Sequence, residues 1–322
     1  MSNDIRQNPL LTAVASSLKK MAATQAYRDA FGTSALLRDS LWPAASRYVV
    51  AKDRPELTAK LATLDGLGYR LSAEYVGEEV RDLHEIENIV GEYEALIASA
   101  AVPLQLGFDL SSMGSLVSTD LAFENASRLL KAAADKNIEI LLSMERSTLV
   151  DQIMEIYGEL ARDHENVGIT LQAHLRRTTK DIELVAARGG KVRLVKGVYD
   201  EDEDIAFARG PVLNRRYVEL LGRLTEMGVK VSAATQDVKV HNLMERAGLL
   251  RRVDEVEMLH GVRPALLRGL RDRGVNTRVY AVYGRNWWLH FLHRLAEYPR
   301  TVLLAFADLD DPSRIEFGRD YR

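Results

Sequence analysis

The chain of 322 residues contains no cysteine, no long apolar run and no excess of charge of one sign. The absence of cysteine excludes disulfides, thiolate zinc sites, iron–sulfur clusters and a cysteine nucleophile. Lys and Arg number 43 against 46 Asp and Glu, which gives a net charge of −3. This balance provides no electrostatic footprint for nucleic acid, and we expect at most peripheral contact with a membrane.

Two further absences concern targeting. No uninterrupted apolar stretch approaches the ~20 residues that a membrane-spanning helix needs. The first residues, MSNDIRQNPLLTAV, lack a basic segment followed by an apolar core. We therefore expect no secretory signal and a cytoplasmic location.

Eight short apolar runs alternate with amphipathic stretches along the chain. The runs are Tyr69–Val76, Val102–Leu110, Ile138–Met144, Val167–Leu175, Lys191–Val198, Val229–Ala234, Glu255–His260 and Thr277–Tyr283. Their length and their Gly, Asn or charged borders are typical of buried parallel strands. Eight strands, each followed by a helix, predict an α/β fold of the (β/α)8 TIM-barrel type. A doubly wound open sheet is the second choice, but no GxGxxG turn is present to support it.

Helical patterns occupy most of the sequence before Tyr69, for example Leu57–Leu67. We therefore predict an N-terminal helical arm over 1–68, a barrel over 69–300 and a C-terminal tail over 301–322. A further helix is expected over Asn286–Glu297, with its two tryptophans in the core. The acidic run Asp200–Asp204 is interpreted as a solvated loop.

Polar side chains gather at the C-terminal ends of the predicted strands, where barrel active sites lie. These candidates are Asp109, Ser143, Glu145, Gln172, His174, Arg193, Lys196, Thr235, Gln236, Asp237, His260 and Tyr280. Two cations beside Gly197 suit an anion or an electron-rich ring. Lys196 is either a Schiff-base lysine, as in barrel aldolases, or a structural cation paired with a carboxylate, and spacing alone favours the second interpretation.

His290 and His293 are three residues apart, which is a spacing that can chelate a metal. No third ligand at a matching spacing lies nearby, and zinc prefers three or four protein ligands. We therefore predict no metal site.

Several segments, in order, resemble the signatures of the proline dehydrogenase family of FAD-dependent (β/α)8 barrels. LQAHLRRT, VRLVKGVY, EMLHG and VYAVYG-x6-FLHRLAE are similar to the family's LQAYLxRT, IRLVKGAY, EMLHG and VYVPYG-x6-FMRRLAE. The approach to the first strand and the second barrel helix, LAFENASRLLKAAADKN, are also similar, so the resemblance covers roughly residues 47–297. One such motif is weak evidence, whereas several in the correct order are specific.

The resemblance implies an FAD site. In it, Arg193 would lie near flavin N5 and tune its acceptance of electrons. The other residues that it implies at the cofactor are Gln172, Lys196, Gly197, Val198, Tyr199, Thr235, Gln236 and Glu297. Gln236 stands where the family has His, so a hydrogen bond is kept but a charge is lost. Without cysteine there is no thioether link to the flavin, and links through His or Tyr stay open.

The implied substrate residues depart from the family pattern. Asp109 stands where the family has Lys, Ser143 where it has Asp, and His293 precedes Arg294 where it has two arginines, so only Tyr280 and Arg294 match. The family's set has a positive excess that suits a carboxylate. Here the charges of Asp109 and Arg294 cancel. Because a unit charge at ~4 Å contributes several kcal/mol at an effective dielectric of ~20, we expect weak binding of free L-proline.

The predicted reaction is the two-electron oxidation of a C–N bond to an imine, with FAD as cofactor and quinone or oxygen as electron acceptor. The substrate is an amine or a proline-like imino acid other than free L-proline. Arg193, Tyr280, Arg294, Asp109, Ser143 and His293 are the expected catalytic set. Two alternatives stay open: a Schiff-base lyase or racemase that uses Lys196, and a catalytically inactive relative of the family. The retained flavin residues favour an active enzyme.

Overall fold

A computed structural model describes residues 8–77 and 79–322. The first seven residues, which carry part of the argument against a secretory signal, lie outside this part of the chain. Eight parallel strands form a closed barrel in chain order, with the last strand paired to the first. The strands are β1 (Arg70–Tyr75), β2 (Gln105–Phe108), β3 (Glu139–Leu142), β4 (Val167–Gln172), β5 (Val192–Val195), β6 (Val231–Ala234), β7 (Glu255–Leu259) and β8 (Thr277–Tyr283). The predicted (β/α)8 barrel is confirmed, and every strand lies within its predicted run.

Helices surround the barrel and precede it. They are α1 (Pro9–Ala23), α2 (Gln25–Thr33), α3 (Ala35–Ala45), α4 (Arg54–Gly66), α5 (Leu83–Ser99), α6 (Thr119–Ala134), α7 (Val150–Asp163), α8 (Thr178–Ala186), α9 (Pro211–Glu226), α10 (Val238–Arg246), α11 (Pro264–Asp272), α12 (Trp288–Glu297) and α13 (Thr301–Asp310). Helices α5 to α12 follow β1 to β8 in turn. Among the helices of the described ranges, none is both long and apolar enough to cross a membrane.

Local sequence explains where several helices begin. Asp53 caps α4 by accepting a hydrogen bond from the backbone N–H of Glu56 at 3.0 Å, and Pro55 occupies the first turn. Asp82 caps α5 in the same way through Glu85 at 2.9 Å. These side chains satisfy N–H groups that have no partner within the helix.

The interior of the barrel contains ion pairs between charged side chains as well as apolar residues. At its N-terminal end, Lys191 and Arg278 donate hydrogen bonds to Oε1 of Glu255 at 2.8 and 2.7 Å. One layer closer to the C-terminal ends, Arg193 donates to Glu257. Burial raises the pKa of Glu255, but the charges of Arg278 and Lys191 outweigh burial and hold this pKa far below its usual range. Buried charges require such partners, which the strand periodicity supplies.

A second apolar cluster joins the N-terminal helices to α12. Trp287 and Trp288 are buried there against Phe31, at ring-centroid distances of 4.6 and 5.3 Å. The expectation that both tryptophans belong to the core is therefore confirmed. This packing fixes α12, which carries His293, Arg294 and Glu297.

Candidate active site

Four polar side chains meet at the C-terminal ends of neighbouring strands. Tyr280 comes from β8, Glu74 from β1, and Asp109 and Ser143 directly follow β2 and β3. The phenol of Tyr280 donates a hydrogen bond to Oε2 of Glu74, and the hydroxyl of Ser143 donates to the same oxygen at 3.1 Å. All four residues are partly exposed. The C-terminal end of the barrel, which we call its mouth, therefore carries a cluster of polar side chains around the carboxylate of Glu74.

The environment of Glu74 shifts two ionisations. Burial raises the pKa of Glu74, although the hydrogen bond from Tyr280 and the charge of Arg193 oppose this shift. Burial and the charge of Glu74 raise the pKa of Tyr280 well above its ordinary value, so Tyr280 stays a phenol and a donor. Gly107 on β2 faces this group, since a Cβ there would lie 2.7 Å from Oε2 of Glu74.

Arg193 lies inside the barrel below this group and is 3% exposed. Its Nε and Nη2 donate hydrogen bonds to Glu257 at 2.7 and 3.1 Å, and its guanidinium carbon lies 4.6 Å from the centre of the Tyr280 ring. Burial lowers the pKa of Arg193, but the charge and hydrogen bond of Glu257, with the electrostatic contributions of Tyr280 and Glu74, together outweigh burial and raise this pKa above its ordinary value. Arg193 is thus a permanently charged group whose charge is compensated within the barrel.

Lys196 lies just beyond the end of β5 at Val195. Its Nζ lies 2.7 Å from Asp237 and 2.8 Å from Oδ1 of Asn214. Burial raises the pKa of Asp237, but the hydrogen bond and charge of Lys196 lower it below its ordinary value. The ion pair agrees with the structural interpretation of Lys196 that its spacing favoured.

The turn after β5 is closely packed at Gly197. Its φ of 102° lies in the left-handed region, and a Cβ at this position would overlap the ring of His174. Arg209 donates a hydrogen bond to the carbonyl of Gly197 at 2.8 Å. Val198 is 40% exposed and Tyr199 is partly exposed, so both present surface beside this turn.

The turns after β4 and β6, on either side of the turn after β5, hold the remaining polar candidates. Gln172 at the end of β4 donates through Nε2 to the carbonyl of Glu145 at 2.7 Å. The hydroxyl of Thr235 accepts from the backbone N–H of Asp237 at 3.2 Å, and its carbonyl contacts Nε2 of His241 at 2.8 Å. Gln236 is partly exposed between them. These contacts orient both turns without using the side chain of Gln236.

Helix α12 carries an arginine, Arg294, whose charge is balanced by Glu297 of the same helix. Nη1 of the buried Arg294 lies 2.9 Å from Oε2 of Glu297. Burial and the charge of Arg294 lower the pKa of the neighbouring His293 to about 4, so His293 is neutral at neutral pH. Nε of Arg294 is buried without a hydrogen-bond partner in the described ranges.

His260 does not join this group, although it follows β7 at the same edge. Its ring stacks on Phe317 and Tyr321 of the C-terminal segment at centroid distances of 5.3 and 5.5 Å. Burial, with the charges of Lys60 and Arg47, lowers the pKa of His260 to about 3. A cavity of about 180 Å³ lies at this contact, away from the residues gathered at the mouth. His260 therefore anchors the C-terminal segment.

Sequence reasoning missed Glu74 and Glu257. The sequence did contain a signal for ion pairs in the barrel interior. Glu255 and Glu257 are two residues apart, and so are Lys191 and Arg193. Residues at i and i+2 of a strand face the same side. Matching pairs of acids and bases on two predicted strands thus indicate ion pairs across the barrel.

The residues at the mouth fit a flavin dinucleotide in their chemistry. The unpartnered Nε of Arg294 is a buried donor that a polar ring edge would satisfy. Lys196, Thr235 and Gln236 provide a cation and polar groups around adjacent turns, which suits a pyrophosphate. The compact turn at Gly197 is followed directly by the exposed Val198.

The closed (β/α)8 barrel and the polar, ion-paired residues at its mouth place the protein in the class of barrels that carry an active site at the C-terminal ends of their strands. The family model for proline dehydrogenase matches residues 57–213. Proline dehydrogenase 2 of Bacillus subtilis strain 168 is 28% identical over 270 residues, which cover 82% of this chain and 89% of the relative. The proline dehydrogenase of Deinococcus radiodurans is 28% identical over 300 residues, covering 86% and 96%. The chain is therefore similar to proline dehydrogenases over most of its length, as the resemblance predicted.

Solved structures share the fold. Proline utilization A (PutA) from Bdellovibrio bacteriovorus, inactivated by N-propargylglycine, has a TM-score of 0.72 at 17% identity and covers 87% of this chain. PutA from Corynebacterium freiburgense has a TM-score of 0.68 at 18% identity and covers 98%. This chain spans only 35% and 36% of those two chains, so it corresponds to about a third of their length.

Proposed function

We propose that the protein is an FAD-dependent oxidoreductase that converts the C–N bond of an amine, or of a proline-like imino acid other than free L-proline, to an imine. Proline dehydrogenases, to which this chain is similar, are flavin-dependent oxidoreductases that act on CH–NH groups. The observation that carries the proposal is the charge balance at the mouth. Arg294 is paired with Glu297 and Arg193 with Glu257, whereas Glu74 adds a carboxylate whose hydrogen-bond donors, Tyr280 and Ser143, are neutral.

FAD, when bound, would supply the acceptor for the hydride that leaves the carbon next to the substrate nitrogen. We assign its binding to Gln172, Arg193, Lys196, Gly197, Val198, Tyr199, Thr235, Gln236 and Glu297. The ion pair with Glu257 holds the guanidinium of Arg193 in one orientation. The ion pair with Asp237 does the same for the ammonium group of Lys196. Quinone or oxygen would take the electrons afterwards.

The substrate is inferred from the same charges. An amino acid brings a carboxylate, which needs a positive excess to replace its hydration. In the part of the mouth that the structure describes, the two buried arginines already contact carboxylates, and His293 is neutral at neutral pH. Ser143 stands where the family has Asp, so it adds no charge. Its hydroxyl donates a hydrogen bond to Glu74. An amine without a carboxylate therefore fits better than free L-proline.

The test is anaerobic titration of the FAD-loaded protein with a panel of amines, imino acids and L-proline, followed by flavin absorbance. We expect secondary or primary amines to bleach the flavin at lower concentrations than L-proline. A catalytically inactive relative is the outcome if no compound bleaches it. A lyase or racemase would instead be shown by a borohydride-trapped adduct on Lys196, which the ion pair with Asp237 disfavours because a protonated lysine is not a nucleophile.

A further inference from the structure

Glu74 is the carboxylate around which the mouth is organised. Its Oε2 accepts hydrogen bonds from Tyr280 on one neighbouring strand and from Ser143 two strands away on the other side. Both donors are neutral, so they orient the carboxylate without cancelling its charge. Glycine at position 107 makes room for it, since a Cβ there would be only 2.7 Å from Oε2.

The surroundings of Glu74 leave a negative balance. The titratable and charged groups that face it or its donors are Arg193 on β5, Glu257 on β7, Tyr280 on β8, Tyr93 on α5, Asp109 after β2 and Glu145 after β3. Arg193 is paired with Glu257. Burial raises the pKa of Tyr93 well above its ordinary value, so this phenol is neutral. A cation entering the mouth would therefore meet the carboxylate of Glu74, whose neighbouring cation Arg193 is shared with Glu257.

We propose that Glu74 is the anchor and the proton acceptor for the protonated nitrogen of the substrate, and that the site therefore selects cationic amines. The assignment rests on the proposed function, which supplies the oxidation that follows. It adds the residue that binds the reacting nitrogen and the charge class of the substrate.

The proton balance of the step is simple. The substrate enters as an ammonium ion, and its N–H proton passes to the carboxylate of Glu74, which leaves a neutral amine with a lone pair. With FAD bound, this neutral amine would be able to lose a hydride from the adjacent carbon to the cofactor, which would leave an iminium ion. Glu74 finally returns its proton to water. The net change is loss of one proton and one hydride from the ammonium substrate.

The burial of Glu74 matches this role. Because burial raises its pKa, the free carboxyl holds a proton to a higher pH than an ordinary glutamate does. An incoming ammonium ion offsets that cost of ionisation, so cation binding and ionisation of Glu74 are linked. Tyr280, whose own pKa is raised, continues to donate throughout.

Glu74→Gln tests the assignment, with Glu87→Gln as the matched control on the exposed surface of α5. The first readout is calorimetric binding of N,N-dimethylpyrrolidinium to the FAD-loaded protein, because this cation has no proton to transfer. We expect Glu74→Gln to weaken binding at least tenfold and to abolish the strengthening of binding with rising pH. Glu87→Gln should bind as the parent protein does. Equal affinity and an equal pH profile in Glu74→Gln would overturn the anchor.

The second readout is the rate of anaerobic flavin bleaching by pyrrolidine as a function of pH. In Glu74→Gln only the amine that is already neutral in solution can react, so the rate should rise about tenfold per pH unit below the pKa of the free amine. The parent protein should show a plateau that begins at lower pH. Identical profiles would overturn the proton acceptor. If pyrrolidine and other amines leave the parent flavin unbleached, the proposed function fails, while calorimetry still decides whether Glu74 binds the cation.

Discussion

Arg193 on β5 donates two hydrogen bonds to Glu257 on β7 across the interior of the barrel, and both side chains are almost fully buried. The pair explains how a charged side chain is kept at the centre of the fold. It also means that Arg193 reaches the mouth with its charge already compensated. The cation preference that we propose for the mouth rests on this pair and on the similar pair of Arg294 with Glu297.

Loss of Glu257 should destabilise the fold strongly. In Glu257→Gln the guanidinium of Arg193 stays buried without the anion to which it is hydrogen-bonded, which costs about 3–5 kcal/mol of unfolding free energy. Urea unfolding measures this loss. The control is Glu183→Gln, whose partner Arg223 lies 3.0 Å away in an exposed pair that is worth about 0–1 kcal/mol. Similar losses in the two variants would show that the buried pair has no special role.

Gly197 should tolerate no side chain. Gly197→Ala combines a φ of 102° with overlap between the new Cβ and the ring of His174. Gly189→Ala is the matched control, because Gly189 has a φ of 78° and open space around its Cβ position. We expect the control to lose about 1 kcal/mol from backbone strain and Gly197→Ala to lose more, with weaker FAD binding. Thermal unfolding and flavin titration check this, and equal losses would contradict it.

Restoring the family's charges should restore activity on L-proline. The triple variant Asp109→Lys, Ser143→Asp and His293→Arg is expected to raise kcat/KM for L-proline at least tenfold, since each added charge contributes several kcal/mol at ~4 Å. Ser143→Asp alone should not help, because it places a carboxylate beside Glu74, where the hydroxyl now lies 3.1 Å away. Steady-state assays of kcat/KM for L-proline in the single and triple variants test this prediction. An unchanged kcat/KM in the triple variant would contradict the charge argument.

His293 should make the fold sensitive to mild acid. Its pKa in the folded protein is about 4, below the ordinary 6.5, so the unfolded chain binds this proton first as pH falls. Stability from this residue is therefore fully present above pH 6.5 and is lost between about 6.5 and 4. We expect the parent protein to lose about 1–2 kcal/mol more than His293→Gln between pH 7 and pH 5. Urea unfolding at both pH values measures this difference, and parallel losses would exclude it.

Much of the fold was predictable because the eight apolar runs have strand length and alternate with helical patterns. Strand ends were less predictable, since a run extends into the turn that follows it. Val102–Leu110 contains only the four paired residues Gln105–Phe108, because Pro103 lacks a backbone donor and Asp109 begins the next turn. Composition alone does not distinguish these flanking residues from the strand.

The site was predictable only where a motif carries it. The motif around Arg193 and Lys196 predicts a cofactor site at this turn, but it does not reveal the partners Glu257 and Asp237. The contact of Tyr280 with Glu74 joins residues 206 positions apart, and only closure of the barrel brings β8 next to β1. The pair of Arg294 and Glu297 was accessible in principle, since residues at i and i+3 of a helix are neighbours.

The most direct test of the account is a stopped-flow comparison of pyrrolidine and L-proline as reductants of the FAD-loaded protein without oxygen. The quantity measured is the limiting rate of flavin bleaching divided by the apparent Kd for each compound. We predict a larger value for pyrrolidine, since it presents an ammonium ion to Glu74 and brings no carboxylate to a mouth whose arginines are paired. A larger value for L-proline would contradict the account.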